Sequence, residues 1–175
     1  MDAIELYRTL LRSAHDFLEG TLADVTPTQF TWDPPGKAFS IGATNYAHVL
    51  GAEDMAIQGL LQDKSPLAVS AWAGKVGASE PPPLGPGVDI KSWSQRAKLD
   101  LAGMQRYGQA VYAASDGYLA SIRPDELSRP IDLSQFGLGK QTVLFVLTAI
   151  LSNASLHTGE ISCLKGQQGA KGYPV

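Results

Sequence analysis

Apolar residues recur every three or four positions along four stretches of this chain, and this periodicity limits the folds open to it. Such spacing places the apolar side chains on one face of an α-helix. The four stretches cover about residues 2–23, 41–61, 91–122 and 142–165. We find no stretch in which apolar and polar residues alternate as they do in a half-buried strand. The pattern therefore predicts an all-α protein built as a four-helix bundle.

The boundaries of these helices follow from capping residues and from proline. Ser40 and Thr142 suit the N-cap positions of the second and fourth helices, and Gly166 suits a left-handed end to the fourth. Pro124 closes a third helix that is predicted to run without a break. Residues 65–90 are rich in proline and glycine and are too long for an ordinary bundle loop. We expect one domain over residues 1–175.

Composition excludes several classes of protein. The 175 residues carry a net charge of -3, and the basic residues are scattered, so no stripe is available to bind nucleic acid. The longest apolar run, residues 143–151, is about half a membrane span, so no membrane partner is expected. The single cysteine, Cys163, precludes an intrachain disulfide and fits a reducing compartment. These features predict a cytoplasmic protein.

Histidine is the residue type most able to carry chemistry here, because phosphate loops, nucleophile elbows and cysteine pairs are missing from the sequence. His48 and His157 lie on the predicted inward stripes of the second and fourth helices. Facing helices of a bundle can bring two such imidazoles to one metal ion or one ligand. An inward histidine can equally be a hydrogen-bonded core residue, and Asn45 on the same stripe could satisfy His48.

A catalytic metal usually has three protein ligands and an open position, so two histidines are one ligand short. Asn153, one turn before His157, is the nearest third candidate by position, but its amide oxygen is a poor donor to a transition metal. Glu160 is a better donor type and lies nearer the edge of the stripe. His15 flanks the stripe of the first helix and is a weaker candidate.

Two segments resemble the signatures of the DinB-like superfamily. Residues 30–53 read FTWDPPGKAFSIGATNYAHVLGAE, with a Trp-x-Pro turn, a Ser-Ile-Gly helix start, a histidine and then an acidic residue. Residues 153–174 read NASLHTGEISCLKGQQGAKGYP, close to a pattern of His-x-x-x-His-x-Gly-Glu-Ile followed by a glycine- and glutamine-rich tail. The resemblance covers essentially the whole chain.

This resemblance implies a bundle in up-down-down-up order with long crossover connections. Many relatives bind a divalent metal through one histidine of the second helix and two of the fourth. His48 and His157 match two of these positions, and Asn153 replaces the third histidine. The expected cofactor is therefore zinc or nickel, bound weakly or not at all.

Two functions follow as expectations. The first is a metal-assisted transferase, isomerase or hydrolase that acts on a small molecule, including a thiol-conjugated one. The second is a non-catalytic or vestigial member with a metal-free ligand pocket. In either case a homodimer is expected, because Leu6, Leu10 and Phe17 form a second apolar set on the first helix.

Overall fold

The computed structural model describes residues 2–36, 39–80, 82, 83 and 89–175. The helices and strands are α1 Ala3–Leu22, α2 Pro27–Thr31, α3 Ala47–Asp54, α4 Ile90–Arg96, α5 Leu101–Ser121, β1 Pro130–Asp132, β2 Lys140–Thr142 and α6 Val143–Gln167. Two π-helical segments, Ile41–Tyr46 and Met55–Leu60, extend α3 at its two ends. Helical structure therefore runs from residue 41 to residue 60, as the sequence predicts.

The bundle is formed by α1, α5, α6 and the helical run that contains α3. α1 and α6 are parallel, because contacts advance along both helices together. Near their starts, the Tyr7 hydroxyl donates to the Leu147 carbonyl at 2.6 Å. Near their ends, Lys165 Nζ donates to the Thr21 carbonyl at 2.6 Å.

α3 and α5 both run antiparallel to α1. Residues near the end of α1 contact the beginnings of the α3 run and of α5, and residues nearer the middle of α1 contact later positions in both. The pairs are Glu19 with Tyr46 and Gln105, and then His15 with Glu53 and Tyr112. Together with the parallel packing of α1 and α6, these contacts confirm the up-down-down-up order.

The prediction of one unbroken third helix over residues 91–122 is wrong. The chain leaves α4 after Arg96, and Leu99 forms a β-bridge with Ala78 of the long connection. Asp100 then caps α5 with its side chain. This break is set by a tertiary contact with a distant loop, which the local apolar periodicity does not reveal.

The long connection between the α3 run and α4 is fixed to the bundle at two points. The buried Asp54 carboxylate accepts hydrogen bonds from the amides of Leu67 and Ala68, both at 2.9 Å, and from the Tyr107 hydroxyl at 2.7 Å. Gly77 packs so closely on α5 that a Cβ there would lie 2.2 Å from a backbone nitrogen, and its φ is +76°. The connection is therefore an ordered part of the bundle surface where it is described.

The second long connection contains a short antiparallel hairpin of β1 and β2, in which Ile131 lies opposite Gln141. The sequence predicts no strand here, because three-residue strands are too short to show a period of two. Thr142 caps α6 as predicted. The predicted end at Gly166 is wrong, because α6 continues to Gln167 and the left-handed glycine is Gly169, with a φ of +77°. Among the described residues, no helix has both the length and the apolar character needed to cross a membrane.

Candidate functional site

His48 and His157 lie together, one on α3 and the other on α6. Their ring centroids are 5.0 Å apart and the ring planes are inclined by 71°. The sequence predicts that both histidines point into the bundle interior. This prediction is wrong in one respect, because His48 is exposed and His157 is half-buried. The pair therefore lies at the bundle surface, where a ligand can reach it from solvent, and we call this region the imidazole cleft.

The phase of the α3 run explains this outward shift. Ile41 and Asn45 are buried as the sequence predicts, but the inward face then passes to Leu50, Glu53 and Ile57 instead of His48 and Met55. The π-helical turn at Ile41–Tyr46 has hydrogen bonds from i to i+5, so it holds more residues per turn than an α-helix. A period of 3.6 counted from Ile41 therefore predicts the wrong face.

The proton position on His157 follows from its neighbours. Asn45 donates from Nδ2 to the Ser40 carbonyl at 3.1 Å, which turns its Oδ1 towards His157 Nδ1 at 2.9 Å. Glu160 Oε2 lies 2.7 Å from the same ring nitrogen. Both oxygens are acceptors, so Nδ1 carries a proton and the neutral ring keeps its lone pair on Nε2.

Asn153 lies near the other imidazole, close enough for its polar side chain to raise the pKa of His48. Asn45 and Asn153 thus each lie near the histidine of the opposite helix. Partial desolvation of the His48 ring lowers its pKa, and the neighbouring His157 imidazole lowers it further. The nearby Asn153 side chain and the Glu160 charge raise the pKa of His48 and so act in the opposite direction. The net effect favours a neutral, ligand-competent His48 at pH 7.

The donor chemistry of this cleft suits a metal only in part. Two imidazoles and one amide oxygen are available, and Glu160 is engaged with His157 Nδ1. Metal-bound imidazoles usually donate a hydrogen bond from their second ring nitrogen to a carboxylate or carbonyl oxygen. Asn45 and Glu160 accept such a hydrogen bond from His157. Within the described ranges, however, no three His, Cys, Asp or Glu side chains are grouped so as to hold a metal ion. The residues present fit a weak site that water must complete.

His15 lies in a separate buried network that the sequence does not predict. Its Nε2 is 2.8 Å from Glu53 Oε2, and its ring stacks on Tyr112 with centroids 3.8 Å apart. The Ser115 hydroxyl donates to Glu53 Oε1 at 2.5 Å. The carboxylate lies between the serine and the histidine, so the imidazole cannot take the hydroxyl proton as it does in a catalytic triad. Glu53 is the acidic residue of the second-helix motif, and its place in that motif is the sequence signal that could have indicated this network.

The fold and the two helix motifs define a class of helical-bundle proteins. Comparison with models of known protein families identifies this class. The family model of the DinB superfamily matches residues 10–161. The chain belongs to the DinB superfamily, and the resemblance inferred from the sequence is confirmed.

A solved structure of a conserved protein from Enterococcus faecalis is similar in fold. The TM-score is 0.77 at 22% sequence identity, over 94% of this chain and 96% of that one. At this identity the likeness concerns the fold alone. A comparison with curated proteins finds no match.

Proposed function

We propose that the cleft of His48, His157 and Asn153 binds a small molecule and holds a divalent metal, zinc or nickel, beside it. The observation that supports this most directly is the imidazole pair, with ring centroids 5.0 Å apart and one ring oriented by two acceptors. A metal bound there would polarise a carbonyl group or lower the pKa of a bound water or thiol. The proposed reaction is transfer, isomerisation or hydrolysis on a small molecule, including a thiol-conjugated one.

Each side chain has a distinct part in this proposal. His157 offers Nε2, because Asn45 and Glu160 occupy its Nδ1. His48 offers a neutral ring, since its lowered pKa keeps the proton off at neutral pH. Asn153 lies near His48 and supplies a neutral oxygen at the position where many relatives have a histidine. The expected metal affinity is therefore low, with water as the remaining ligand.

The test is calorimetric titration of chelator-treated protein with zinc and with nickel at pH 7.5. Cys163 is exposed, and its thiol is a competing zinc donor, so the matched background is Cys163→Ser. His48→Ala and His157→Ala in that background should each weaken binding at least tenfold. Unchanged affinity in both variants, or loss of binding in Cys163→Ser alone, would contradict the proposed metal site.

A second candidate is a metal-free ligand pocket without catalysis. It is favoured by Asn153, a neutral residue at the position where many relatives have a histidine, and by a set of imidazoles one short of three. In this case the cleft residues hydrogen-bond a ligand directly. Wild-type protein that binds neither zinc nor nickel at millimolar concentrations would favour this candidate over the first.

We also propose that the protein is a homodimer in the cytoplasm. Leu6, Leu10 and Phe17 expose 49%, 46% and 37% of their surface on one side of α1, which is more apolar surface than a solitary bundle needs. Light scattering at tens of micromolar should give twice the chain mass. Leu10→Glu should give a monomer, whereas Val69→Glu, at another exposed apolar residue, should leave the dimer intact.

A further inference from the structure

A cavity of about 250 Å³ lies beside the imidazole cleft, between the end of the α3 run, the first half of α6 and the β-hairpin. Met55, Leu60, Leu138 and Phe145 are among the apolar side chains that line it. Among the described residues, the polar members of the lining are Glu53 and Asn153. The cavity is therefore a half-open chamber whose lining is almost entirely apolar.

The two polar residues have different consequences for a ligand. Both carboxylate oxygens of Glu53 are already engaged, one by His15 and one by Ser115. Asn153 is half-buried, lines the cavity and lies near His48. A molecule in the cavity therefore meets its hydrogen-bonding partner at the end where the two imidazoles begin.

We propose that this cavity binds the apolar part of an uncharged small molecule whose polar head group lies at Asn153 and the His48–His157 pair. This inference rests on the proposed function in using the same cleft, and it adds the class of ligand: a short aliphatic chain or a single aromatic ring with a neutral polar head. A charged tail is excluded, because the chamber offers no unpaired counter-charge to offset its desolvation.

The size of the ligand follows from the volume. A cavity of roughly 150 Å³ with an apolar lining is large enough for benzene, which has six carbon atoms. The cavity here is larger, at about 250 Å³, and takes an apolar part of up to about ten carbon atoms on that scale. The ligand is thus smaller than a membrane lipid or a peptide helix.

The experiment is a ¹H–¹⁵N NMR titration of metal-free protein with butanamide, hexanamide and octanamide. These probes carry one neutral polar head and differ only in chain length. We expect shifts at the Ala149 and Ile150 backbone amides and at the Asn153 side-chain amide. The dissociation constant should fall about fourfold per methylene group until the cavity is full. An affinity independent of chain length, or shifts confined to other regions, would overturn the inference.

Ala149→Phe is the matched variant, because residue 149 is exposed on α6 and lines the cavity, so a larger side chain fills the cavity without entering the core. Octanamide should then bind at least tenfold more weakly, with an unchanged melting temperature. The control is Ala113→Phe, at an exposed residue of α5 outside this lining, which should bind octanamide as wild type does. Equal binding in wild type and Ala149→Phe would overturn the assignment.

Two further outcomes separate this inference from its alternatives. Leu138 and Phe145 are exposed beside the cavity, so a second copy of the chain could cover it. A dimer that Ala149→Phe converts to a monomer would overturn the ligand site in favour of that contact. Octanamide binding with no binding of zinc or nickel would support the cavity and refute only the metal. Metal binding with no amide binding would refute only the cavity.

Discussion

Glu53→Ala should lower the free energy of unfolding by roughly 3–5 kcal/mol, because it removes a buried acceptor shared by two buried donors. Glu53 is 2% exposed, and its oxygens lie 2.8 Å from His15 Nε2 and 2.5 Å from Ser115 Oγ. His15 and Ser115 are 7% and 0% exposed, so both donors depend on this carboxylate in the wild-type protein. Each unsatisfied donor costs about 1–3 kcal/mol, and the two together account for most of the expected loss.

Glu53→Gln separates the hydrogen bonds from the packing. The amide has the shape of the carboxylate and keeps one acceptor oxygen, so only one of the two donors must find a new arrangement. His15 can respond by moving its proton to Nδ1 and accepting from the amide. The expected loss is about 1–2 kcal/mol, clearly smaller than for alanine.

The assay is equilibrium urea unfolding at pH 7, followed by tryptophan fluorescence and by circular dichroism. Asp16→Ala is the control, because Asp16 is an exposed acidic residue of the same bundle and should change stability by less than about 0.5 kcal/mol. A loss below about 1 kcal/mol for Glu53→Ala would refute the buried network. So would a glutamine variant that is no more stable than the alanine variant.

Three other substitutions test separate parts of the structure. Gly77→Ala should cost at least about 2 kcal/mol more in thermal unfolding than Gly74→Ala, because both glycines have positive φ but only Gly77 lacks room for a Cβ. Asp54→Ala should cost about 2–4 kcal/mol and speed hydrogen exchange of the two loop amides that its carboxylate holds; unchanged exchange would contradict that anchor. The hydrogen bond from Arg8 lowers the pKa of Asp116 in the folded protein. The ionised carboxylate therefore stabilises the fold fully above its unfolded pKa of about 3.9. This stabilisation is lost as the pH falls through the lower pKa of the folded state. Solvent screening keeps that benefit below about 1 kcal/mol, so Asp116→Asn and wild type should differ slightly in urea unfolding at pH 6 and converge in strong acid; a constant difference would refute the linkage.

Much of the bundle could be predicted from the sequence because its signals are local. Asp2 and Thr142 cap α1 and α6 within a residue or two of the predicted starts. The features that were missed depend on contacts between distant segments. The chain breaks before Asp100 because Leu99 pairs with Ala78, and neither residue carries a local signal for that bridge.

The sequence predicts which residues form the candidate site, but it does not predict how exposed they are or which side chains contact them. His48 and His157 meet as their motifs indicate, with ring centroids 5.0 Å apart. Their exposure was not predictable, because the π-helical turn at Ile41–Tyr46 changes the face of the helix that follows. The hydrogen bond of Asn45 with His157 and the approach of Asn153 to His48 also depend on how the two helices pack.

The substitution Asn153→His tests whether the cleft is a divalent metal site that is weakened at one position. Residues 153 and 157 are four apart on α6, so both side chains lie on one side of the helix. With His48 on the facing helix, the variant would present three imidazoles and an open position, the arrangement that catalytic zinc prefers.

The measurement is a pair of calorimetric zinc titrations at pH 7.5, on Cys163→Ser and on Cys163→Ser/Asn153→His. We predict weak binding in the first protein and binding at least tenfold tighter, with one zinc per chain, in the second. Asn153→Ala in the same background is the control for loss of the asparagine itself and should not tighten binding. Equal zinc affinity with and without the new histidine would contradict the claim that Asn153 occupies a ligand position.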